Sequence, residues 1–268
     1  DSRQFYRELE IGTAKPSAQE LGEAPHHFVN SLSIYDTYSV GQFEKEVLTK
    51  LSQIFTSHDT AIMAGGSGLF VDAVCYGIDE FPAVAEEVRN DLRQELIEKG
   101  LESLKDELKE KDIQYYQIVD LQNPQRVVRA LEVIRSTGEP FSNFRKRTIK
   151  KRPFEVIKIG LEMEREKIYE RIDLRMDQMI TNGLFGEVER FQECSHLNAL
   201  QTVGYKEVFG YLSGAYNKEE AVRLLKRNSR RYAKRQLTWF KRDESTRWFD
   251  PTHLEGIKNY IKEFSKTV

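Results

Sequence analysis

The sequence predicts an α/β fold: a parallel sheet carrying helices and interrupted by a mainly helical insertion. Three observations carry that prediction. A short apolar run, Thr60-Ala-Ile-Met-Ala64, breaks into Gly65-Gly66-Ser67-Gly68 and resumes as an apolar stretch from Leu69 to Tyr76. Strand, glycine turn and helix in that order make a βα unit of a parallel sheet. Much later, Phe154 to Leu161 returns to β-type composition through Val156, Ile157 and Ile159. Between the two, about residues 80–147, the periodicity is helical and the charge changes sign.

Taken in order, Val40 to Phe55 reads as a helix, because Phe43, Val47, Leu51, Ile54 and Phe55 recur at a spacing near 3.6. The strand, turn and helix at 60–76 follow. Residues 79–112 carry twelve acidic and six basic side chains, with Leu92, Leu96, Leu101, Leu104 and Leu108 marking amphipathic helices. Pro124 then opens a helix, a position where its missing N–H costs nothing. Residues 123–152 carry nine basic and two acidic side chains. Helices are expected at 165–181, 185–193 and about 217–240, and Trp248-Phe249-Asp250 as a last short strand. The division that results is a core of 1–79 with 148–268 and a helical insertion of 80–147.

At 268 residues, with 41 basic and 43 acidic side chains, the chain reads as a nearly neutral globular protein. No run approaches the ~18 apolar residues of a membrane helix. Cys75 and Cys194 show no metal-ligand spacing and no disulfide framework, which points to a reducing cytoplasm. The five histidines are read as surface or packing residues. Against this neutral background, Lys226 to Arg242 holds eight basic residues and no acidic one, interleaved with Tyr232, Trp239 and Phe240. So local a positive field is built to hold an anion in one place.

Three segments are chemically suggestive. Gly65 to Gly68 either cradles a phosphate with backbone N–H groups and a hydroxyl at a helix N-terminus, or is a tight turn needing positive φ. Arg126 and Arg129, three apart on one helical face, suit phosphate or base edges, or form an ordinary solvated pair. In the last long helix Ala221, Leu225, Tyr232 and Trp239 share a face that Ser229 and Gln236 complete, so its aromatics are read as core anchors while the basic residues meet nucleic acid.

Several stretches together identify a family. Asp1-Ser-Arg-Gln4, Ile11-Gly-Thr-Ala-Lys-Pro16, Gly65-Gly-Ser-Gly-Leu-Phe70, Asn123-Pro-Gln-Arg-Val-Val-Arg-Ala-Leu-Glu-Val133, Thr202-Val-Gly-Tyr-Lys206 and Ala233-Lys-Arg-Gln-Leu-Thr-Trp239 occur in the order of the bacterial tRNA dimethylallyltransferase motifs. The chain resembles that family from end to end. The resemblance implies a core of the P-loop nucleoside-triphosphatase type. It also implies transfer of a dimethylallyl group from dimethylallyl diphosphate to N6 of the adenine beside the anticodon, at position 37, with Mg²⁺. The partner is then the anticodon arm of tRNA, lying against the basic segments 123–152 and 226–242, and the protein is expected to act as a monomer in the cytoplasm.

By the same resemblance Asp1 is the general base, and Ser2, Arg3 and Gln4 line the flipped adenine. Ser67, where the family usually has Thr, contacts the oxygen bridging prenyl group and diphosphate. Arg175 grips the diphosphate, unless it pairs along its own helix with Asp173 or Asp177. Gln125, Arg126, Val127, Val128 and Arg129 match a tRNA-contacting segment. So do Gln201, Thr202, Val203, Gly204, Tyr205 and Lys206, and so do Lys234, Arg235, Gln236, Leu237, Thr238, Trp239, Phe240 and Lys241. Lys206 stands where many relatives have Arg.

The family's phosphate loop, ending in Gly-Lys-Ser/Thr, has no counterpart in these residues. It is expected upstream of Asp1, together with the metal ligands. Two other functions compete with the main one: an adenylate prenyltransferase acting on a free nucleotide, and a non-catalytic RNA-binding relative. A small-molecule P-loop kinase is a third, predicting nucleoside-triphosphate turnover.

Overall fold

The computed structural model describes residues 1–146 and 148–265, and it is helix-rich with a small parallel sheet. Contacts divide the chain into two compact units, residues 1–74 with 153–268 and residues 75–152.

The first unit opens with a turn at residues 1–4, a 3₁₀ turn at Ile11–Thr13 and α1 (Ala18–Glu23). Helix α2 (Val40–Ile54) starts at a capping box. Ser39 accepts from the Gln42 amide and the Gln42 side chain accepts from the Ser39 amide, so two otherwise orphaned donors are satisfied. Helix α3 (Gly68–Tyr76) runs out of the glycine loop. Phe43 and Val47 of α2 and Val74 of α3 are buried with Phe5 in a cluster that Phe28 and Phe70 flank, its rings meeting edge-on or stacked at centroid distances of 5.1–6.4 Å.

The insertion is helical. Helix α4 (Glu86–Lys111) breaks at Gly100, whose φ of 77° and ψ of −179° only glycine adopts readily. It is followed by α5 (Ile113–Tyr116), α6 (Pro124–Thr137) and α7 (Phe141–Phe144). The predicted leucines Leu92, Leu104 and Leu108 are fully buried against Val127, Leu131 and Val133 of α6, with Leu96 and Leu101 at the margin. Arg135 ties α6 to α4 by pairing with Glu95 and Glu107.

Strand β1 (Ile159–Leu161) pairs in parallel with β2 (Arg247–Phe249), Gly160 opposite Trp248. Between them run α8 (Arg165–Thr181), α9 (Leu184–Glu189), α10 (Tyr205–Leu212) and α11 (Lys218–Phe240). Helix α12 (Leu254–Ser265) follows β2. The second core of this unit gathers Leu9, Ile34, Met176, Met179, Leu184, Val188, Leu200, Tyr205, Val208 and Leu225.

One expectation fails here. Thr60–Ala64 is not a strand and is not buried: Ile62 is 90% exposed and Met63 46%. A strand exists only as one side of a hydrogen-bonded ladder, and among the described residues nothing pairs with this segment. Composition registered its apolar character and could not supply the partner.

Candidate active site

The first four residues form a tight turn. The Gln4 amide donates to the Asp1 carbonyl at 3.0 Å, and the Arg3 amide donates to Asp1 Oδ1 at 2.8 Å. Its neighbours hold the turn in place. Gln4 Nε2 donates to the carbonyls of Thr13 and Ala14 at 3.0 and 2.9 Å, and Arg3 Nη1 donates to the Asn198 carbonyl at 2.9 Å. Burial lowers the pKa of the Arg3 guanidinium, opposed by Tyr6 and Tyr232. Lys15 Nζ reaches back to the Tyr6 carbonyl at 2.7 Å and to Asn30 Oδ1.

Ser67 sits against this turn. Its Oγ accepts from the Ser2 amide at 3.2 Å and donates to Ser2 Oγ at 3.1 Å. The Ser67 carbonyl accepts from the amides of Phe70 and Val71, which starts α3. Through Ser2, the Asp1 turn and Ser67, distant in sequence, meet at one locus, with Asp1 exposed. The glycines of the loop do not sit at positive φ, so the tight-turn reading does not account for them. Close approach does: a methyl group on Gly66 would collide with the Gln236 amide, and one on Gly68 with the Trp239 indole.

Those two contacts come from α11, begun by Asn217 as N-cap with Glu219 and Glu220 in its first turn. Gln236 Nε2 donates to the Gly66 carbonyl at 3.0 Å, and Trp239 Nε1 donates to Asp72 Oδ2 at 3.0 Å. Desolvation raises the pKa of Asp72, and the indole hydrogen bond opposes that rise. Tyr232 differs from its expected role as a core anchor. At 37% exposure it lies at the surface with the Arg235 guanidinium 5.6 Å from its ring centroid.

The charge of α11 is partly neutralised by acids that no local window of sequence could show. Lys226 pairs with Asp177, Arg230 with Asp173 and Lys241 with Glu162, while Arg242 stacks over Trp239 at 4.2 Å. Arg231 and Lys234 are exposed and form no ion pair among the described residues. From Lys226 on, they and Arg235 carry the helix's exposed positive charge without an ion pair among the described residues, while half-buried Arg227 donates to the neutral Asn228 Oδ1.

Other predicted residues fall in three settings. Arg175 lies exposed on α8 without an ion pair among the described residues, and its two alternative partners, Asp173 and Asp177, are taken by α11. On α6, Gln125 and Arg126 are exposed, Val128 is half-buried, and Arg129 pairs with Glu132 at 2.8 Å while lying over the Phe81 ring. Gln201 and Lys206 are exposed, Thr202 and Val203 half-buried, and Gly204 adopts a φ of 100° ahead of α10. Of the α11 set, Leu237, Trp239 and Phe240 are half-buried, whereas Thr238 and Lys241 are exposed.

Two assignments are corrected. Val127 and Tyr205 are fully buried, so neither side chain is available to RNA. Val127 belongs to the core of the insertion because the i, i+4 face that packs on α4 includes it. Tyr205 instead donates its hydroxyl to Glu187, and burial together with that carboxylate raises its pKa. Glu187, which the sequence did not single out, also accepts from the amides of Glu10, Ile11 and Gly12 at 3.2, 2.7 and 3.0 Å. Nothing in its sequence neighbourhood signals that role.

Among the described residues, no group of three or more His, Cys, Asp or Glu side chains stands close enough to cage a metal ion, and no helix is long and apolar enough to cross a membrane. Among the described residues Cys75 and Cys194 form no disulfide.

Comparison with known proteins gives a consistent answer. The family model described as IPP transferase matches residues 4–243. A tRNA dimethylallyltransferase of Cytophaga hutchinsonii is 48% identical over 262 residues, covering 98% of this chain and 86% of the relative. The tRNA dimethylallyltransferase 1 of Bacteroides thetaiotaomicron is 47% identical, with 98% and 85% covered. Among solved structures, the tRNA isopentenylpyrophosphate transferase of Bacillus halodurans is similar at TM-score 0.69 and 34% identity, covering all of this chain and 88% of that one. A eukaryotic dimethylallyltransferase acting on tRNA shares the fold at TM-score 0.74 and 24% identity, with 95% of this chain and 67% of that one covered.

Proposed function

The chain belongs to the IPP transferase family, and we propose that it is a tRNA dimethylallyltransferase that moves a dimethylallyl group from dimethylallyl diphosphate to N6 of the adenine beside the anticodon. The observation that carries the chemistry is the contact between the Asp1 turn and the Ser67 loop. One exposed carboxylate and one anchored hydroxyl flank a single locus.

The division of labour follows from what the reaction demands. The exocyclic amine is a weak nucleophile and must lose a proton as the C–N bond forms, so a carboxylate at that position serves as general base. Asp1 takes that role. Its Oδ1 is already oriented by the Arg3 amide, which leaves Oδ2 for the incoming proton. The leaving diphosphate gathers negative charge, which oriented donors and cations stabilise. Ser67 Oγ, whose proton rests on Ser2 Oγ in this structure, would turn that proton to the bridging oxygen when substrate binds, and Arg175 supplies a guanidinium without an ion pair among the described residues. Mg²⁺ would neutralise the diphosphate when bound. In this reading the ion would be held by one or two carboxylates together with the substrate phosphates. The adenine must leave its stack to reach Asp1, and the exposed cations Arg231, Lys234 and Arg235 are suited to holding the anticodon-arm backbone while it does so. A core of the P-loop type, monomeric action and a cytoplasmic location complete the reading.

The decisive test is Asp1→Asn. The amide keeps the Oδ1 acceptor for the Arg3 N–H and so keeps the turn, while removing the proton acceptor. Transfer to tRNA should fall by about 10²–10⁴-fold with tRNA affinity within about twofold. Wild-type turnover in this variant would remove Asp1 from the mechanism. Prenyl incorporation into AMP in preference to tRNA would replace the substrate.

A further inference from the structure

We infer that Asp72 is a positioning residue for the transfer, acting through Trp239, and that Trp239 and Gln236 together hold the Ser67 loop in its working geometry. The inference rests on the reading of Ser67 as the hydroxyl at the reacting centre and goes beyond it. Gln236 and Trp239 thereby face the loop, while the RNA-facing duty of α11 falls to its exposed cations.

The geometry is that of a clamp with two jaws. Gln236 Nε2 binds the Gly66 carbonyl directly at 3.0 Å. Three residues further along α11, about one helical turn, the Trp239 indole lies flush on Gly68. Ser67 is the residue between the two gripped glycines, and both grips need the absence of a β-carbon. A tryptophan held only by packing could turn about its side-chain torsions. Here the Nε1–H···Oδ2 bond to Asp72 fixes the ring. Asp72 stands one turn into α3, the helix that Ser67 itself initiates, so the acceptor moves with the loop it secures. Burial opposes the ionised form of Asp72, a cost that a merely solvated surface carboxylate would not bear. Arg242 also stacks on the same indole, 4.2 Å from its ring centroid.

The chemistry at stake is small in distance and large in rate. Ser67 Oγ is already committed to Ser2 on one side, and a reacting group misplaced by about 1 Å loses about 10²-fold. A clamp on both flanks of Ser67 limits such drift. It also places the loop on the helix that bears Lys234 and Arg235, so tRNA seated on the exposed face of α11 meets a loop set by the inner face.

The test compares Asp72→Ala, Asp72→Asn and Gln236→Ala in the whole enzyme. Single-turnover prenyl transfer, tRNA affinity and amide hydrogen exchange over residues 65–71 are measured, with thermal melting to confirm folding. The expected result for Asp72→Ala and Gln236→Ala is a loss of about 10- to 100-fold in the transfer rate with tRNA affinity changed less than threefold, and faster exchange confined to the loop. Asp72→Asn retains a carbonyl acceptor for the indole and should recover most of the rate and the protection. An Asn variant as impaired as the Ala variant overturns the inference. So does a loss of tRNA affinity with the transfer rate unchanged, or unaltered loop exchange in the Ala variants. If the wild-type protein transfers no prenyl group, the functional reading fails, and the exchange measurement still decides whether the clamp exists.

Discussion

Replacing Glu187 by alanine should unfold much of what holds the N-terminal segment, and the structure sets the size of the effect. The carboxylate is 2% exposed and accepts four hydrogen bonds: from the amides of Glu10, Ile11 and Gly12 and from the Tyr205 hydroxyl. Hydrogen bonds to a charged group are worth about 1.5–3 kcal/mol each, and buried donors left unmatched keep their desolvation cost. Against this stands the desolvation of the carboxylate itself, which the substitution relieves. The balance is a loss of about 3–5 kcal/mol, a large share of the about 5–15 kcal/mol of a whole domain. Tyr205→Phe removes only one donor and should cost about 1–2 kcal/mol. Because the two side chains share a bond, the double variant should be less destabilised than the sum of the single ones. Urea unfolding at neutral pH measures all three, with the slope m checked for constancy. A cost below about 1 kcal/mol for Glu187→Ala would refute the claim that this carboxylate organises residues 10–12.

Further expectations follow from other parts of the site. Lys234→Ala and Arg235→Ala should each lower the salt dependence of tRNA binding by about one unit of log–log slope, weakening it alike for all tRNAs bound, whereas Lys226→Ala, whose charge is spent on Asp177, should change the slope less; equal slopes in all three would refute the partition of charge along α11. Asp72 has a pKa raised by burial, so its ionisation is harder in the folded state than in the unfolded one. Wild-type stability therefore falls as pH climbs from the ordinary carboxylate pKa to the raised one and is level above it. Asp72→Asn removes that fall, and urea unfolding between about pH 4 and 7 should show the variant gaining on the wild type as pH rises; a constant difference would refute the direction of the shift. Gly68→Ala should crowd the Trp239 indole, costing about 1–3 kcal/mol and slowing transfer; an unchanged melting temperature would show that the ring has room to move.

The sequence made some of this legible and hid the rest, for physical reasons. Periodicity located α2, α8 and α11 within a residue or two, because an amphipathic face repeats locally and needs no partner to be seen. The strand expected at Thr60–Ala64 was lost because pairing is non-local: its apolar composition is real, and the ladder that would make it a strand is absent from the described residues. The motifs pointed to Asp1 and Ser67, and the structure brings them to one place. What no window could reveal are bonds between distant positions: Glu187 to residues 10–12, or Trp239 to Asp72 across 167 positions. Tyr232 was misjudged because a helical wheel assigns a face without saying where the neighbouring elements stop. Arg235 beside it, and the exposure of both, mark the edge of the covered face.

That edge matters for how the basic helix works. In sequence Lys226 to Arg242 is an unbroken positive run, and a polyanion would be expected to engage all of it. In the fold the run divides by face. Lys226 and Arg230 are answered by the acids of α8, and Lys241 by Glu162. Gln236 and Trp239 turn toward the glycine loop, and half-buried Arg227 donates to Asn228 Oδ1. The run's exposed cations on α11 without an ion pair among the described residues are Arg231, Lys234 and Arg235, beside the Tyr232 ring. A uniformly charged helix would bind RNA in many registers, since phosphate contacts alone carry no positional information. Confining the free charge to a short stretch, between residues that grip the Ser67 loop and residues spent on α8, limits the registers a bound backbone can take. In the proposed function this division of α11 would serve placement, because its exposed cations lie within about two turns of the side chains that grip the Ser67 loop.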